Sequence, residues 1–301
     1  MSQINLKILK KGIEHPNIIS CSFFTMKDSY RLFDKYKSNL HRFLKQCQSL
    51  KNFEIRIYVD NTSGDLSFIN DPNVSIYHFD CPEFRDGDGH LGTFGTFVRF
   101  LPLFEKHSLV WISDIDVPNH YFDISGSYDF RIVSNICYER KVYGRKYTIL
   151  AGRFVSRHQL PKSLLTRFLN KFLDGDYSDE IQNLNSENRK PLSNFPYGMD
   201  ELFLNKSIYD YIKKRSFKVL TIVDMFVSSM LIYNTQLPKS SQTLLLQYYE
   251  TPNKKMIPKI LDLYHEYIPL ILNKYPCLQK VLDKEFKNSF EIKELISSSQ
   301  L

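Results

Sequence analysis

Three pairs of aspartates in this chain stand one residue apart: Asp86 with Asp88, Asp114 with Asp116, and Asp174 with Asp176. With 20 aspartates among 301 residues, about one such spacing arises by chance. The first and third pairs flank Gly87 and Gly175, and Asp-Gly is ordinary turn chemistry. The middle pair follows the apolar run "LVWIS", Leu109 to Ser113, which has the pattern of a buried strand. Two carboxylates so close repel, and keeping both ionised is costly unless a cation lies between them. A hard divalent ion such as Mg²⁺ or Mn²⁺ takes oxygen ligands, shared between one or two carboxylates and phosphate oxygens. Asp114 and Asp116, with Ile115 between them, therefore read as a clamp for a metal and a diphosphate. The alternative is a water-exposed strand end at which Asp116 opens a turn before Pro118.

The elements that must position this pair are legible as an alternation. "NIISCSFF", Asn17 to Phe24, is a short continuous apolar run, as expected of a strand covered on both faces. Thr25 with Asp28 three residues on can cap a helix start, and Phe33, Tyr36, Leu40, Phe43, Leu44, Cys47 and Leu50 recur at helical spacing. "FEIRIYVD" and "NVSIYHFD" read as strands, "CPEFRDGDGHLG" as a polar loop, and "TFGTFVRFLPLFEKH" as a helix kinked or shortened by Pro102. Strand, helix, strand, strand, helix, strand over the first 120 residues predicts an α/β fold with a mostly parallel sheet. Its ligand crevice should lie beyond the carboxyl ends of the strands, where Asp60 and Asp114 fall. Further on, "DFRIVSNICYE", "YTILAGRFV" and "FKVLTIV" read as strands, and "LPKSLLTRFLNKFLDG" and "GMDELFLNKSIYDYIKK" as helices. The stretch "SDEIQNLNSENRKPLSNFP" reads as a polar excursion. Residues 1–237 then form the main domain, in halves of about 1–120 and 121–237, and 238–301 a helical tail that packs on the domain or forms a homodimer surface.

Composition narrows the partners. The net charge is +7, but the basic residues are scattered, which suits a solvated surface attractive to anions rather than a nucleic-acid platform. No apolar run reaches the length of a membrane span, and the N-terminal stretch lacks a secretory pattern. Five cysteines without a C-x-x-C pair suit reduced thiols, so a cytosolic location is expected. The wealth of Lys, Asn, Ile, Tyr and Phe suggests an AT-rich genome.

The order "GTFGTFVRFLPLFEKHSLVWISDIDVP" resembles the metal-dependent GT-A glycosyltransferases, especially the glycogenin and lipopolysaccharide galactosyltransferase branch. There a helix bearing an arginine precedes a strand ending in D-x-D, so Arg99 matches the arginine and Asp114 and Asp116 the metal-binding pair. "YTILAGRFV" is similar to the strand that brings an Ala-Gly near the sugar and acceptor, here Ala151 and Gly152. "YGMDELFLN" is similar to that branch's acidic helix start, with Asp200 and Glu201 as the polar pair and Asn205 trailing, although Leu202 replaces the third acid. The resemblance covers about the first 235 residues. It implies a GT-A fold and transfer of a hexose from UDP-glucose or UDP-galactose to a hydroxyl of a glycan, protein or small molecule. Mn²⁺ or Mg²⁺ would be the cofactor, and a virus factory a further location if the chain is viral.

Residue by residue, Arg99 is expected to stabilise the leaving diphosphate. Ser22, Phe23, Phe24 and Thr25 are expected at the uracil and ribose, although an aromatic in a buried strand is as readily plain core. Asp60 either contacts the nucleoside or caps the "NTSGD" turn, and His90 either donates to sugar or phosphate or is plain surface. Asp200 and Glu201 bind sugar or acceptor, or supply the base, with Asp200 ranked first. The branch's third metal ligand, a C-terminal histidine, has no counterpart motif; His265 falls in the tail, and Asp224 is the substitute by position. The branch implies retention of anomeric configuration, while the altered Asp200-Glu201-Leu202 segment and the missing histidine leave inversion open. A sugar nucleotidyltransferase is a distant alternative, because "SFFTMKDSY" lacks a glycine-rich basic loop. A transferase-like module that only binds carbohydrate is another.

Overall fold

The apolar run ahead of the acid pair is a strand, and the strands beside it explain why. A computed structural model describes residues 4–26, 32–48, 50–116, 126–134, 149–187, 193–223, 238 and 240–241. The chain divides into two compact units, Met1–Val117 with Ala151–Phe217, and Pro118–Leu150 with Lys218–Leu301. In the first unit the elements are β1 (Asn5–Lys10), β2 (Asn17–Phe23), α1 (Phe33–Cys47), β3 (Glu54–Val59), β4 (Val74–Asp80), the two-residue strands β5 (Arg85–Asp86) and β6 (Gly89–His90), α2 (Phe94–Val98) and β7 (Leu109–Ile112). The second unit contributes β8 (Phe130–Ser134). The first then resumes with β9 (Val155–Ser156), α3 (Ser163–Leu173), α4 (Ser178–Glu187), α5 (Met199–Phe203) and α6 (Tyr209–Lys213). Strand β10 (Val219–Val223) belongs to the second unit, where it pairs in parallel with β8 from Val219 opposite Phe130 to Val223 opposite Ser134.

The sheet of the first unit runs β1-β4-β3-β2-β7-β9. Strands β4, β3, β2 and β7 are mutually parallel, β1 is antiparallel to β4, and β9 is antiparallel to β7. This is a mixed α/β architecture with a mostly parallel sheet, as the alternation of elements predicts. Strand alternation sends side chains of β2 to opposite faces. Phe23 meets Phe33 of α1 with ring centroids 6.0 Å apart. On the other face the Ser20 hydroxyl donates to the Arg99 carbonyl at 2.6 Å, and the Phe24 ring lies where a Cβ on Gly95 would go.

Helix α1 buries Tyr36, Leu40, Phe43, Leu44 and Cys47, the stripe that its spacing predicts. The second face is filled largely by phenylalanine: Phe84, Phe94, Phe97, Phe100, Phe168, Phe195 and Phe203 are all buried. Phe97 and Phe203 approach to 4.7 Å, and Phe84 and Phe94 to 4.5 Å. Burying each such ring stabilises the fold by roughly 1.5–3 kcal/mol, so this cluster fixes the segment that carries Arg99. Pro102 sets where that segment breaks. It has no N–H to donate to the Val98 carbonyl four residues back, so α2 stops at Val98 and a 3₁₀ turn, Leu101–Phe104, follows.

Four expectations change. Strand β1 was not anticipated, because "NLKILK" is an edge with five of its six residues exposed and has no clean alternation. The "polar excursion" contains helix α4, with Asp179 and Glu180 in its first turn. "YTILAGRFV" is not one strand: Ala151–Arg153 form a 3₁₀ turn and only Val155–Ser156 pair. Thr25 does not cap α1, which begins at Phe33 behind Leu32 with no side-chain cap; its hydroxyl donates instead to the Thr62 carbonyl at 2.9 Å. Asp28, Asp224, His265 and nearly all of the 238–301 tail lie outside the described residues. Among the described residues, no helix is long and apolar enough to cross a membrane.

Candidate functional site

Because β4, β3, β2 and β7 run in parallel, their carboxyl ends share one edge. Strand β7 leaves the sheet there: the Ser113 N–H donates to the Ser20 carbonyl at 2.8 Å, and Asp114 follows. Arg99 reaches the same point from the break after α2. Its Nη1 donates to Asp114 Oδ1 and to the Ser113 carbonyl, the latter at 3.3 Å, and its Nη2 donates to Asp200 Oδ2 at 2.7 Å. One guanidinium thus ties the end of β7 to the first turn of α5, 101 residues from itself. Arg99 is 3% exposed, so the pairing is made in a setting where charge interactions are strong. Burial opposes the guanidinium charge, but Asp114 and Asp200 outweigh it and hold the Arg99 pKa above the ordinary arginine value. The Nε hydrogen has no partner among the described residues.

Gly152 completes the floor. Strand β9 pairs antiparallel with β7, Trp111 opposite Val155 and Val110 opposite Ser156. Extending that register three residues toward the acid pair brings residue 152 opposite residue 114. A Cβ at position 152 would overlap the Asp114 carboxylate, so only glycine admits Asp114 in this orientation. Ala151 is buried beside it, as is Ile115.

The acidic helix start is positioned by a left-handed glycine. Gly198 precedes α5 with φ 98°, and Asp200 and Glu201 occupy the first turn. Asp200 Oδ1 accepts the Glu201 N–H at 3.0 Å while Oδ2 holds Arg99. After α5 the helix widens into a π turn, Leu204–Ile208, before α6. There the Asn205 side-chain amide donates to the Glu201 carbonyl at 2.8 Å. Such insertions often mark working regions of helices.

Asp60 and His90 come together in a second cluster along the edge. Asp60 Oδ1 accepts the Thr62 N–H at 3.0 Å, and Oδ2 lies 3.2 Å from His90 Nδ1. The Cys81 N–H donates to His90 Nε2 at 3.1 Å, so the ring proton sits on Nδ1 and points at Asp60. Thr25 joins through Thr62 Oγ1, which accepts its N–H at 2.9 Å. Asp60 is 4% exposed and caps the 3₁₀ turn Asn61–Ser63, as one of the two readings of this residue anticipates. Ser22, Phe23 and Phe24 are buried at the end of β2, and the Phe23 carbonyl accepts the Ser63 hydroxyl at 2.8 Å.

The structure therefore brings together Arg99, Asp114, Gly152 and Asp200. It groups Asp60, His90 and Thr25 separately. The anchoring of Asp116 leaves little trace in the sequence: the Tyr36 hydroxyl donates to its Oδ2 at 3.3 Å, and Arg42 Nη2 donates to its carbonyl at 3.1 Å. The only signal in the sequence was a tyrosine on an otherwise hydroxyl-free buried stripe.

Among the described residues, no group of three or more His, Cys, Asp or Glu stands together as a metal cage. The donor chemistry of Asp114 and Asp116 nevertheless suits a hard cation that keeps its remaining positions for water and phosphate oxygens. Both carboxylates reach the surface, Asp114 with 36% of its side chain exposed and Asp116 as an exposed residue, while Ser113 and Ile115 around them are buried. Comparison of the sequence with protein-family models and with curated proteins returns no match.

Proposed function

We propose that this chain is a glycosyltransferase of GT-A type that moves a hexose from a UDP-sugar to an acceptor hydroxyl, using Mn²⁺ or Mg²⁺. The observation that carries the reading is the buried Arg99 bridge, which holds a strand-end Asp114 and a helix-start Asp200 together at the carboxyl edge of a parallel sheet. Asp114 and Asp116 would hold the cation, and that cation supplies Lewis-acid stabilisation of the departing diphosphate.

The chain's own groups do the rest. Arg99 is committed to two carboxylates, so its part is a fixed positive charge behind Asp114 rather than a hand on the phosphate. It keeps the Asp114 carboxylate oriented without reorganisation during the reaction. Gly152 keeps the space over that carboxylate clear of side-chain atoms. Asp200, pinned by Arg99 on one oxygen and by the Glu201 N–H on the other, has lone pairs left to accept a sugar hydroxyl in a fixed direction. Glu201, less buried than its neighbour, would meet the acceptor. Retention of configuration is the expected outcome.

The test is turnover. UDP release from UDP-glucose or UDP-galactose should require Mn²⁺ or Mg²⁺, fall at least a hundredfold in Asp114→Asn and Asp116→Asn, and stop with chelator. A protein that neither releases UDP nor shows a UDP-dependent thermal shift with Mn²⁺ present would refute the proposal.

A further inference from the structure

Helix α1 is expected to do one thing, cover a face of the sheet, and its buried stripe of Tyr36, Leu40, Phe43, Leu44 and Cys47 does so. Phenylalanine at position 36 would serve that purpose as well. A buried tyrosine hydroxyl needs a polar partner, and this one, on a residue 3% exposed, donates to Asp116 Oδ2 at 3.3 Å across 80 residues of sequence. Six residues along the same helix, Arg42 Nη2 donates to the Asp116 main-chain carbonyl at 3.1 Å. Arg42 is itself steadied by Asn39 Oδ1 at 3.2 Å, one helical turn back. Two side chains of one helix therefore converge on one residue, from its side chain and from its backbone.

We infer that α1 positions the second acid of the pair, with Tyr36 orienting the Asp116 carboxylate and Arg42 fixing its main chain. The inference rests on the reading of Asp114 and Asp116 as cation holders. The two acids are then supported differently. Asp114 accepts from the guanidinium of Arg99, which it shares with Asp200. The Asp116 carboxylate accepts from a phenol hydroxyl, a neutral donor that orients it. Groups that orient a ligating carboxylate matter nearly as much as the ligand, and their loss typically lowers metal affinity 10–100-fold. Tyr36 and Arg42 are positioning residues and need not touch the donor or the acceptor.

The experiment measures Mn²⁺ binding alone, by the free-ion resonance signal or by calorimetry, on the full chain and on Tyr36→Phe, Asp116→Asn and the double variant. The expectation is a fall of about tenfold in Mn²⁺ affinity for Tyr36→Phe, an unchanged metal-free melting temperature, and no further loss when Tyr36→Phe is added to Asp116→Asn. Arg42→Ala should lower affinity by a smaller factor. Mn²⁺ binding that needs Asp116 but is indifferent to Tyr36→Phe would overturn the inference and leave the cation reading intact. Equal losses in the presence and absence of the Asp116 carboxylate, or a lowered metal-free melting temperature, would overturn it by showing that the hydroxyl serves the fold. Failure of the unaltered chain to bind Mn²⁺ would remove the cation reading and the inference with it.

Discussion

Replacing Arg99 with methionine removes the guanidinium that bridges Asp114 and Asp200 while roughly preserving the volume of its aliphatic stem. Taking away one partner of a buried ion pair costs about 3–5 kcal/mol. The two ends differ here: Asp114 keeps 36% of its side chain exposed and can be rehydrated, whereas Asp200 keeps 10%. The Asp200 end therefore carries most of the loss, and the low end of the range, about 3 kcal/mol, is expected. Trp111, the single tryptophan, lies on β7 within the same unit, so its fluorescence during urea unfolding reports this unit directly. At an m value of roughly 1–3 kcal/mol/M, the midpoint should drop by about 1 M or more. Adding Asp200→Asn removes the orphaned charge, so the double variant should regain about 1.5–3 kcal/mol relative to additivity. Arg99→Lys keeps the charge but lacks the fork that reaches two acids, and should fall between. An Arg99→Met variant within about 0.5 kcal/mol of the parent, or strictly additive effects, would refute the bridge as the element that joins β7 to α5.

Gly152→Ala places a methyl where the Asp114 carboxylate lies. It should cost about 1–3 kcal/mol from overpacking and abolish any Mn²⁺-dependent thermal shift, while an unchanged shift would contradict the close approach. His107 donates through Nδ1 to the Glu105 carbonyl at 2.8 Å, and its Nε2 is buried without a partner among the described residues. Burial lowers its pKa from 6.5, against the pull of the carbonyls and of Glu105 and with His158 adding to the depression. The unfolded chain then binds the extra proton first, so His107 favours the fold fully above pH 6.5 and this contribution fades as pH falls toward its folded value. Thermal unfolding of His107→Asn, which keeps an amide donor, should lose that part of the acid slope; identical slopes would refute the assignment. Burial also pushes the Cys21 thiol up to about 12, with Arg99 lowering and Asp114 raising it, and the Cys81 thiol up to about 12, and it lifts Cys47 well above its ordinary value. Alkylation mapped by mass spectrometry at pH 8 should leave these three unmodified until denaturant is added, and fast native labelling of Cys21 would contradict its burial.

The parallel core of the sheet was legible because β2, β3, β4 and β7 are continuous apolar or alternating runs, and a one-residue slip in any would turn the buried set outward. The break in α2 was legible for a covalent reason, the missing N–H of Pro102. Strand β1 was not, since an edge strand is held by backbone hydrogen bonds to one neighbour and its side chains face water. Helix α4 was hidden by a composition rich in Asn, Ser and Asp, whose short polar side chains compete with helix formation unless tertiary contacts decide. Of the candidate site, Asp114 could be named from the strand that carries it, and Arg99 from the resemblance of its segment. Their pairing could not, because it depends on how far the chain travels after Val98 before β7 begins.

In sequence Asp114 and Asp116 are equivalent carboxylates; in the fold they are not. Asp114 is gripped by Arg99 and backed by Gly152, and Asp116 is exposed and steadied by Tyr36 and Arg42. Arg99, buried between Asp114 and Asp200, is shared by the two acids, one nitrogen to each. An arginine so committed orients the acid on which the cation of the proposed function would rest, and that orientation, rather than a contact to phosphate, is the part the proposed function gives it.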